Sequence, residues 1–517
     1  MHTDARTLEH GRLLEADLCI VGAGAAGISI AREWIGNAKK VLLLEGGGFE
    51  YDPKMQDLYR GENVGLPYFP LQAARLHYFG GTTGHWAGFC STLDDIDFVA
   101  RPWVPHSGWP ITRASLDPYY ARAHRVLELG PYDYDVARWR RRNPSLVPLA
   151  LDARTVWTKM WQFSPPTRFG TRYRDEIVNA RNVHLLTHAN VCEVETNESA
   201  SAVSGLRIRT FEGKELRARA RHYVLACSTI QNARLLLASN RRASTGLGNA
   251  HDLVGRYFME HLEMPSGELV FTGKQVPSTK IFEFVWGQTK ASAELALSDA
   301  MQREGRMLNA TVSPRPATPG QAPKSTFQNH PAEQMEARRR AEQSGRTNST
   351  PADPPPGPPA AQVPRVHELH TRQEQAPNPA SRVTIARERD ALGVPRVRLD
   401  WRLTPLDRRS FRAFYEVLGR ELGRSGVGRV RMLDWVTSPN DAPWPATLGG
   451  GWHHMGTTRM HDDPKQGVVD PNCRVHGVAN LSVAGDSVFP TSGSANPTLT
   501  LVALSLRLSD RLKTVLG

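Results

Sequence analysis

At 517 residues the chain is too long for one ordinary core, so two domains, or one large domain with a substantial insertion, are expected. Its formal charge of +12 is scattered, with local runs only at Arg138–Arg142 and Arg338–Arg340, which reads as solvated surface and not as a nucleic-acid-reading module. Five cysteines, Cys19, Cys90, Cys192, Cys227 and Cys473, lie far apart without C-x-x-C spacing, so no metal site is expected and a reducing compartment is. No charged start precedes a long apolar run, and no segment nears the roughly 18 apolar residues of a membrane span. A cytoplasmic protein with no membrane partner is therefore expected.

In chain order, DLCIV from Asp17 reads as a short buried strand, GAGAAG as a glycine turn and ISIAREWIG as a helix, followed by a second strand, KKVLLLEGG. Strand, helix and strand within about thirty residues is the parallel unit of a doubly wound sheet. The segment GWPITRASLDPYYARAHRVLELG predicts a helix capped by Ser115 or Asp117. Further on, HYVLA is a strand leading through a polar turn into the helix TIQNARLLLAS. Residues 266–310 and 382–402 alternate like strands and belong to a second, interleaved domain. From 313 to 364 the composition turns to Pro, Gly, Ser, Gln and Arg, including PADPPPGPPAA, which offers too little apolar surface to offset ordering entropy. A mobile surface insertion is the expectation there, with an active-site lid as the alternative. The chain closes with the strand NLSVAGDSVF, a turn and the helical run LTLVALSLRLSDRL.

Gly22, Gly24 and Gly27 form G-x-G-x-x-G between a strand and a helix, with Ala25 and Ala26 inside the motif. Gly22 permits the tight turn, Gly24 lets backbone approach a pyrophosphate, and Gly27 lets helix pack closely on strand. Glu45, followed by Gly46, ends the second strand, where an acidic side chain bonds a ribose hydroxyl and would repel a 2′-phosphate. NADP is thereby disfavoured, while the glycines alone do not separate NAD from FAD.

Further stretches decide that question. GGTTGHWAG at 80–88, HHMGTTRM at 453–460 and VDPNCRVHGVANLSVAGDSVFPTSGSANPTLT at 469–500 together resemble the glucose-methanol-choline family of flavin oxidoreductases. CSTLDDIDF, GWPITRASLDPYY and QAPNPASRVTI look like its bacterial branch related to pyranose oxidases. The resemblance implies an α/β fold: an FAD-binding, Rossmann-like doubly wound domain interleaved with an α+β substrate-binding domain built on an antiparallel sheet. Residues 12–100, 182–262 and 446–517 are assigned to the first, 101–181 and 263–445 to the second.

Carried over by position, the resemblance makes His453 the catalytic histidine and Asn496 its partner. Alcohol oxidation needs a group that takes the hydroxyl proton while hydride passes to flavin, and neutral imidazole suits that task. An amide can hold the same oxygen without competing for the proton. Flavin contacts are implied at Gly81, Thr82, His85, Trp86, Ala87, Gly485, Asp486, Asn496, Pro497 and Thr498, with weaker assignments at Val191, Ala226, Cys227 and Ser228. His85 precedes Trp86 as in the T-H-W stretch through which pyranose oxidases attach their flavin, but Gly84 departs from that pattern, leaving covalent and non-covalent FAD both open. The expected reaction is FAD-dependent oxidation of a secondary alcohol of a sugar, glycoside or polyol, with oxygen or another electron acceptor. A sterol or other alcohol dehydrogenase, a redox-neutral lyase of the same fold and a flavin-binding protein without chemistry are the alternatives.

Overall fold

The computed structural model describes residues 1–282, 291–316 and 365–517. Its larger parallel layer follows from short runs such as VLLL at Val41–Leu44, every residue of which is buried. Strands covered on both faces need continuous apolar runs and not alternating ones. The parallel strands run in the order His2–Asp4, Val183–Thr187, Val41–Leu44, Leu13–Val21, Glu215–Leu225. Register is set by pairs such as Leu18 with Val41 and Cys19 with Tyr223. The sheet thus begins before residue 12, because His2–Asp4 forms its edge.

Glu215–Leu225 is shared on its other side. Its start pairs antiparallel with Val203–Arg209, which pairs with Asn190–Thr196, whereas its end pairs parallel with Leu481–Val483. This branch returns Val191 to the ends of the parallel strands. Outside the sheet, Ala25–Glu33 packs on the C-terminal helix Thr498–Leu516, which also packs on Arg113–Val126. That last helix is capped by Thr112, which accepts from the Ser115 N–H, so the cap is neither Ser115 nor Asp117.

A second sheet is antiparallel throughout, in the order Gly428–Met432, Leu262–Phe271, Val366–Gln373, Ala310–Pro316, Ala291–Leu297, Val156–Phe163, Phe89–Cys90. Its two faces differ in chemistry because successive side chains alternate. On one lies the helix Pro405–Arg424, which starts with a capping box of Thr404 and Asp407 and buries Phe411, Phe414, Leu418 and Leu422 at helical spacing. Its Tyr415 hydroxyl meets Thr371 Oγ1 at 2.7 Å. The next residue, Arg372, points to the opposite face, toward the candidate site.

One expectation is corrected by these layers. Ser313–Pro316, assigned to the Pro-rich insertion, pairs with the strand Val366–Gln373, so the ordered sheet extends to Pro316. The remainder of that insertion, 317–364, and with it the choice between mobile segment and lid, lies outside the described residues. Arg382–Arg389 and Pro395–Asp400 are strands, as their alternation predicts, and with Gly61–Asn63 they make a separate three-stranded sheet.

One buried ion pair ties the segment after the first flavin region to the antiparallel sheet. Arg101 Nη1 and Nη2 donate to the two Glu374 oxygens at 2.8 and 2.6 Å, with both side chains fully buried. The Asn309 N–H also donates to Glu374. Removing one partner strands the other charge in low dielectric, at a cost of about 3–5 kcal/mol. Glu374→Ala is therefore expected to lower the urea midpoint far more than a surface substitution such as Glu304→Ala, as followed by intrinsic tryptophan fluorescence.

Candidate active site

The nucleotide end of the site is built by backbone. A Cβ on Gly27 would sit 1.9 Å from the Gly22 carbonyl oxygen, and one on Gly22 would sit 2.5 Å from that of Ala226. A Cβ on Gly24 would meet nothing within 4 Å. Two glycines are thus required for packing, whereas the third borders open space at the start of a helix with no side-chain cap. The first-turn amides of that helix are suited to a phosphate.

Glu45 carries its strand's end into the same region. One oxygen accepts from the Ala23 N–H and the other from the Gly47 N–H, both at 2.9 Å, leaving its remaining lone pairs for a ligand hydroxyl. The cavity beside it is lined by Gly22, Gly46, Asn190, Val191, Cys227 and Arg234. Cys227 is held there by its N–H to Asn232 Oδ1, and Ser228 bends the chain with φ 79° into the helix Thr229–Ala238. Gly81 lies against Gly24, Thr82 is in the same turn, and Trp86 donates from its indole to the Thr167 carbonyl. Ala87 is exposed.

Toward the reacting end, the segment carrying His453 is laid along the segment carrying Gly485 and Asp486. The Thr458 N–H donates to Ser487 and the Met460 N–H to Val488, both 2.8 Å. Asp486 accepts from Thr229 Oγ1 at 2.6 Å, which links this segment to the second nucleotide turn. Asn496 and Pro497 lead directly into Thr498–Leu516, another helix start without a side-chain cap. His85 stacks on Trp452, with centroids 5.7 Å apart and planes at 19°, which puts it beside the chain at His453. The adjacent His454 turns away between the Tyr68 and Phe258 rings.

The structure brings His453 and Asn496 together, with Asn496 Nδ2 3.2 Å from His453 Nε2. Indole is a donor only, so Trp161 Nε1, 3.1 Å from Asn496 Oδ1, fixes which way the amide faces. The Asn496 NH₂ therefore points at the imidazole, and His453 Nε2 is the acceptor.

Five residues around this pair carry no part of the recognised motifs. Glu260 Oε1 accepts the backbone N–H of both His453 and His261, at 2.6 and 2.9 Å, while the Tyr68 hydroxyl donates to Oε2. His261 Nδ1 lies 2.9 Å from His453 Nδ1, and Glu263 Oε1 lies 3.6 Å from it. Arg372 donates to Glu263 at 2.8 Å, and Trp161 completes the set. The alternation M-E-H-L-E at 259–263 was the available signal, since it sets His261 and Glu263 on one side of an extended segment. Gly451 makes room, because a Cβ there would meet His453 Nδ1 at 2.5 Å.

Charges follow the packing. Burial, then neighbouring His261, pushes His453 well below the ordinary imidazole value, and burial with Arg372 takes His261 down to about 4. For Glu263 burial acts upward, but the Arg372 guanidinium outweighs it and holds the carboxyl well below its usual range. Glu260 is pushed up to about 7 by burial, against the lowering effect of its donors. The site thus joins a neutral imidazole to a charged Glu263–Arg372 pair. Although His261, Glu263 and His453 present ligand atoms within 4.8 Å of one another, Arg372 neutralises the carboxylate and the two ring nitrogens share a hydrogen bond.

A cradle for a dinucleotide joined to an imidazole–amide pair defines an FAD-dependent oxidoreductase acting on CH–OH groups. Over residues 377–505, the stretch that includes both His453 and Asn496, the chain matches the GMC oxidoreductase family. It is 28% identical to paromamine 6'-oxidase of Streptomyces fradiae, covering 95% of this chain and 90% of that one. Over a shorter stretch, 23% of this chain and 21% of the relative, it is 37% identical to C-glycoside 3-oxidase of Arthrobacter globiformis. In fold it is similar to pyridoxine 4-oxidase from Mesorbium loti, with a TM-score of 0.55 and 17% identity across 96% of this chain and 99% of the other. Among the described residues no helix is long and apolar enough to cross a membrane.

The glycine geometry separates two variants that look equivalent in sequence. Gly24→Ala should fold normally and weaken FAD binding by about tenfold or more, ~1.4 kcal/mol or above, because its methyl enters the space left for the pyrophosphate. Gly27→Ala should yield little soluble protein. Flavin titration of the purified proteins, beside their melting curves, checks both.

Proposed function

We propose that the protein oxidises a secondary hydroxyl of a sugar, glycoside or related polyol to a ketone, with His453 as proton acceptor and Asn496 as hydroxyl anchor. The observation that carries this reading is the 3.2 Å approach of Asn496 Nδ2 to an accepting His453 Nε2. A substrate hydroxyl bound beside the pair replaces their direct contact, donating its proton to Nε2 and receiving the amide N–H on its oxygen. FAD, when bound, supplies the acceptor for the hydride that leaves the same carbon. As the proton arrives, the imidazolium is balanced by Glu263, which Arg372 keeps ionised. The amide stabilises the developing negative charge on oxygen without taking the proton.

The character of the neighbouring sheet face favours a polyol over a sterol. Direct cross-strand pairs share a face, so Glu263 and Arg372, Arg372 and Thr311, Glu294 and Lys159, and Ser292 and Trp161 mark one continuous surface. Trp161 and Glu263 place that surface against the reacting pair. Arg372 and Thr311 both bond Glu294 there, so the surface is buried and rich in hydrogen-bonding groups. Hydroxyls of a sugar find donors and acceptors on it, whereas an apolar ring system finds little apolar surface to pack against. The name of one relative, C-glycoside 3-oxidase, agrees with a glycoside substrate. The Gly84 departure from the T-H-W pattern supports a non-covalent flavin contact at His85, so acid precipitation should release the yellow colour to the supernatant.

His453→Ala should retain FAD and lose about 10²–10⁴-fold in the substrate-driven bleaching of flavin absorbance, measured anaerobically by rapid mixing. Asn496→Ala should lose about 10²–10³-fold. An imidazole base acts only when neutral, and burial lowers the value at which His453 gains a proton. The acid limb of the wild-type rate profile should therefore fall well below the ordinary imidazole range near pH 6.5. An unchanged bleaching rate in His453→Ala would place the base elsewhere, and turnover without bleaching would favour the lyase reading.

A further inference from the structure

We infer that His261 is a positioning residue that fixes the tautomer of His453, holding the imidazole proton on Nδ1 so that the Nε2 lone pair faces the reacting hydroxyl. The inference rests on the reading of His453 as the base. Five groups in series each have only one assignment that satisfies its neighbour. Trp161 can only donate, so Asn496 Oδ1 accepts and Asn496 Nδ2 donates to His453 Nε2. Neutral His453 must then carry its proton on Nδ1, which lies 2.9 Å from His261 Nδ1. A carbonyl can only accept, so the Gly493 oxygen, 2.9 Å from His261 Nε2, takes that ring's proton and leaves His261 Nδ1 as a bare acceptor. The two directions of argument, from Trp161 and from Gly493, meet at the Nδ1–Nδ1 contact with one proton between them.

The same geometry separates a lock from a proton wire. A wire needs an exit, and His261 ends on a backbone carbonyl that cannot release a proton onward. His261 is fully buried and sits in low dielectric between Arg372 and His453, an environment that disfavours an imidazolium there. Its place is fixed twice more: the Glu260 carboxylate holds the peptide N–H of both histidines, and Gly493, with φ 55°, turns its carbonyl inward to meet Nε2. Without His261 the Nδ1–H form loses its 2.9 Å acceptor, and the balance shifts toward the tautomer that carries its proton on Nε2, a form that donates where His453 must accept.

The test is the tautomeric state itself, read by ¹⁵N–¹H long-range correlation on FAD-loaded protein labelled at histidine, with signals assigned by their loss in His453→Ala and His261→Gln. In the wild type, His453 should show the Nδ1–H form and His261 the Nε2–H form. His261→Gln presents an amide oxygen as acceptor and should keep His453 in the Nδ1–H form with flavin reduction within a few-fold of wild type. His261→Phe fills the space without an acceptor and should move His453 toward Nε2–H, slowing flavin reduction by about 10–100-fold, the usual scale for a group that orients a functional histidine, with little change in KM. An Nε2–H signal for His453 in the wild type overturns the inference even if no variant folds, as does an unchanged tautomer in His261→Phe. Because these signals do not depend on turnover, failure of the lock is distinguishable from failure of His453 as base, which shows instead as an undiminished rate in His453→Ala.

Discussion

An indole N–H that can only donate, at Trp161, sets the sense of every hydrogen bond across the reacting end of this molecule. Buried polar groups must be paired, and each group in the series Trp161, Asn496, His453, His261 and Gly493 has few alternatives once its neighbour is oriented. The result is a neutral imidazole whose Nε2 electron pair is aimed at the Asn496 amide by its surroundings. An asparagine at position 496 is essential to that scheme, because an amide both accepts from the indole and donates to the ring. The two ends of the series are anchored on different layers, Trp161 in the antiparallel sheet and Gly493 just ahead of the C-terminal helix.

Electrostatics complete what hydrogen bonding orients. Burial makes His453 a weak base at rest, and a base that gains a proton in low dielectric needs a nearby negative charge. Glu263 supplies it at 3.6 Å and stays ionised because Arg372 is bonded to it. Arg372 in turn bridges to Glu294, so no charge in this cluster is buried alone. Neutral His453 leans on His261, and the protonated ring has Glu263 within reach; one nitrogen, Nδ1, serves both states. The antiparallel sheet can present these groups because its opposite face is committed to the apolar side of the helix Pro405–Arg424.

Much of the nucleotide end was legible in the sequence. Its requirements are local: a glycine where a Cβ would strike a carbonyl at the end of the neighbouring strand still appears as a glycine in a short motif, and parallel strands appear as unbroken apolar runs. His453 and Asn496 were legible through the family resemblance, and the antiparallel sheet through its alternation. The helix cap at Thr112 was misread as Ser115 or Asp117 because several adjacent residues can cap and backbone geometry selects one. The edge strand His2–Asp4 was missed because three residues without a periodic pattern give no signal until a partner strand is beside them.

The chain by itself therefore determined the cofactor class and pointed to His453 and Asn496, since each is carried by motifs of residues close together in sequence. Only the tertiary structure decided how the base is aimed. Glu260, His261 and Glu263 are some 190 residues from His453, Trp161 is 335 residues from Asn496, and Arg372 comes from another strand again. No spacing along the chain relates them, and a histidine or glutamate on a strand reads the same whether it faces solvent or another ring. The sense of a hydrogen bond is a property of the pair, and the pairs exist only once the two sheets are folded against the C-terminal segment.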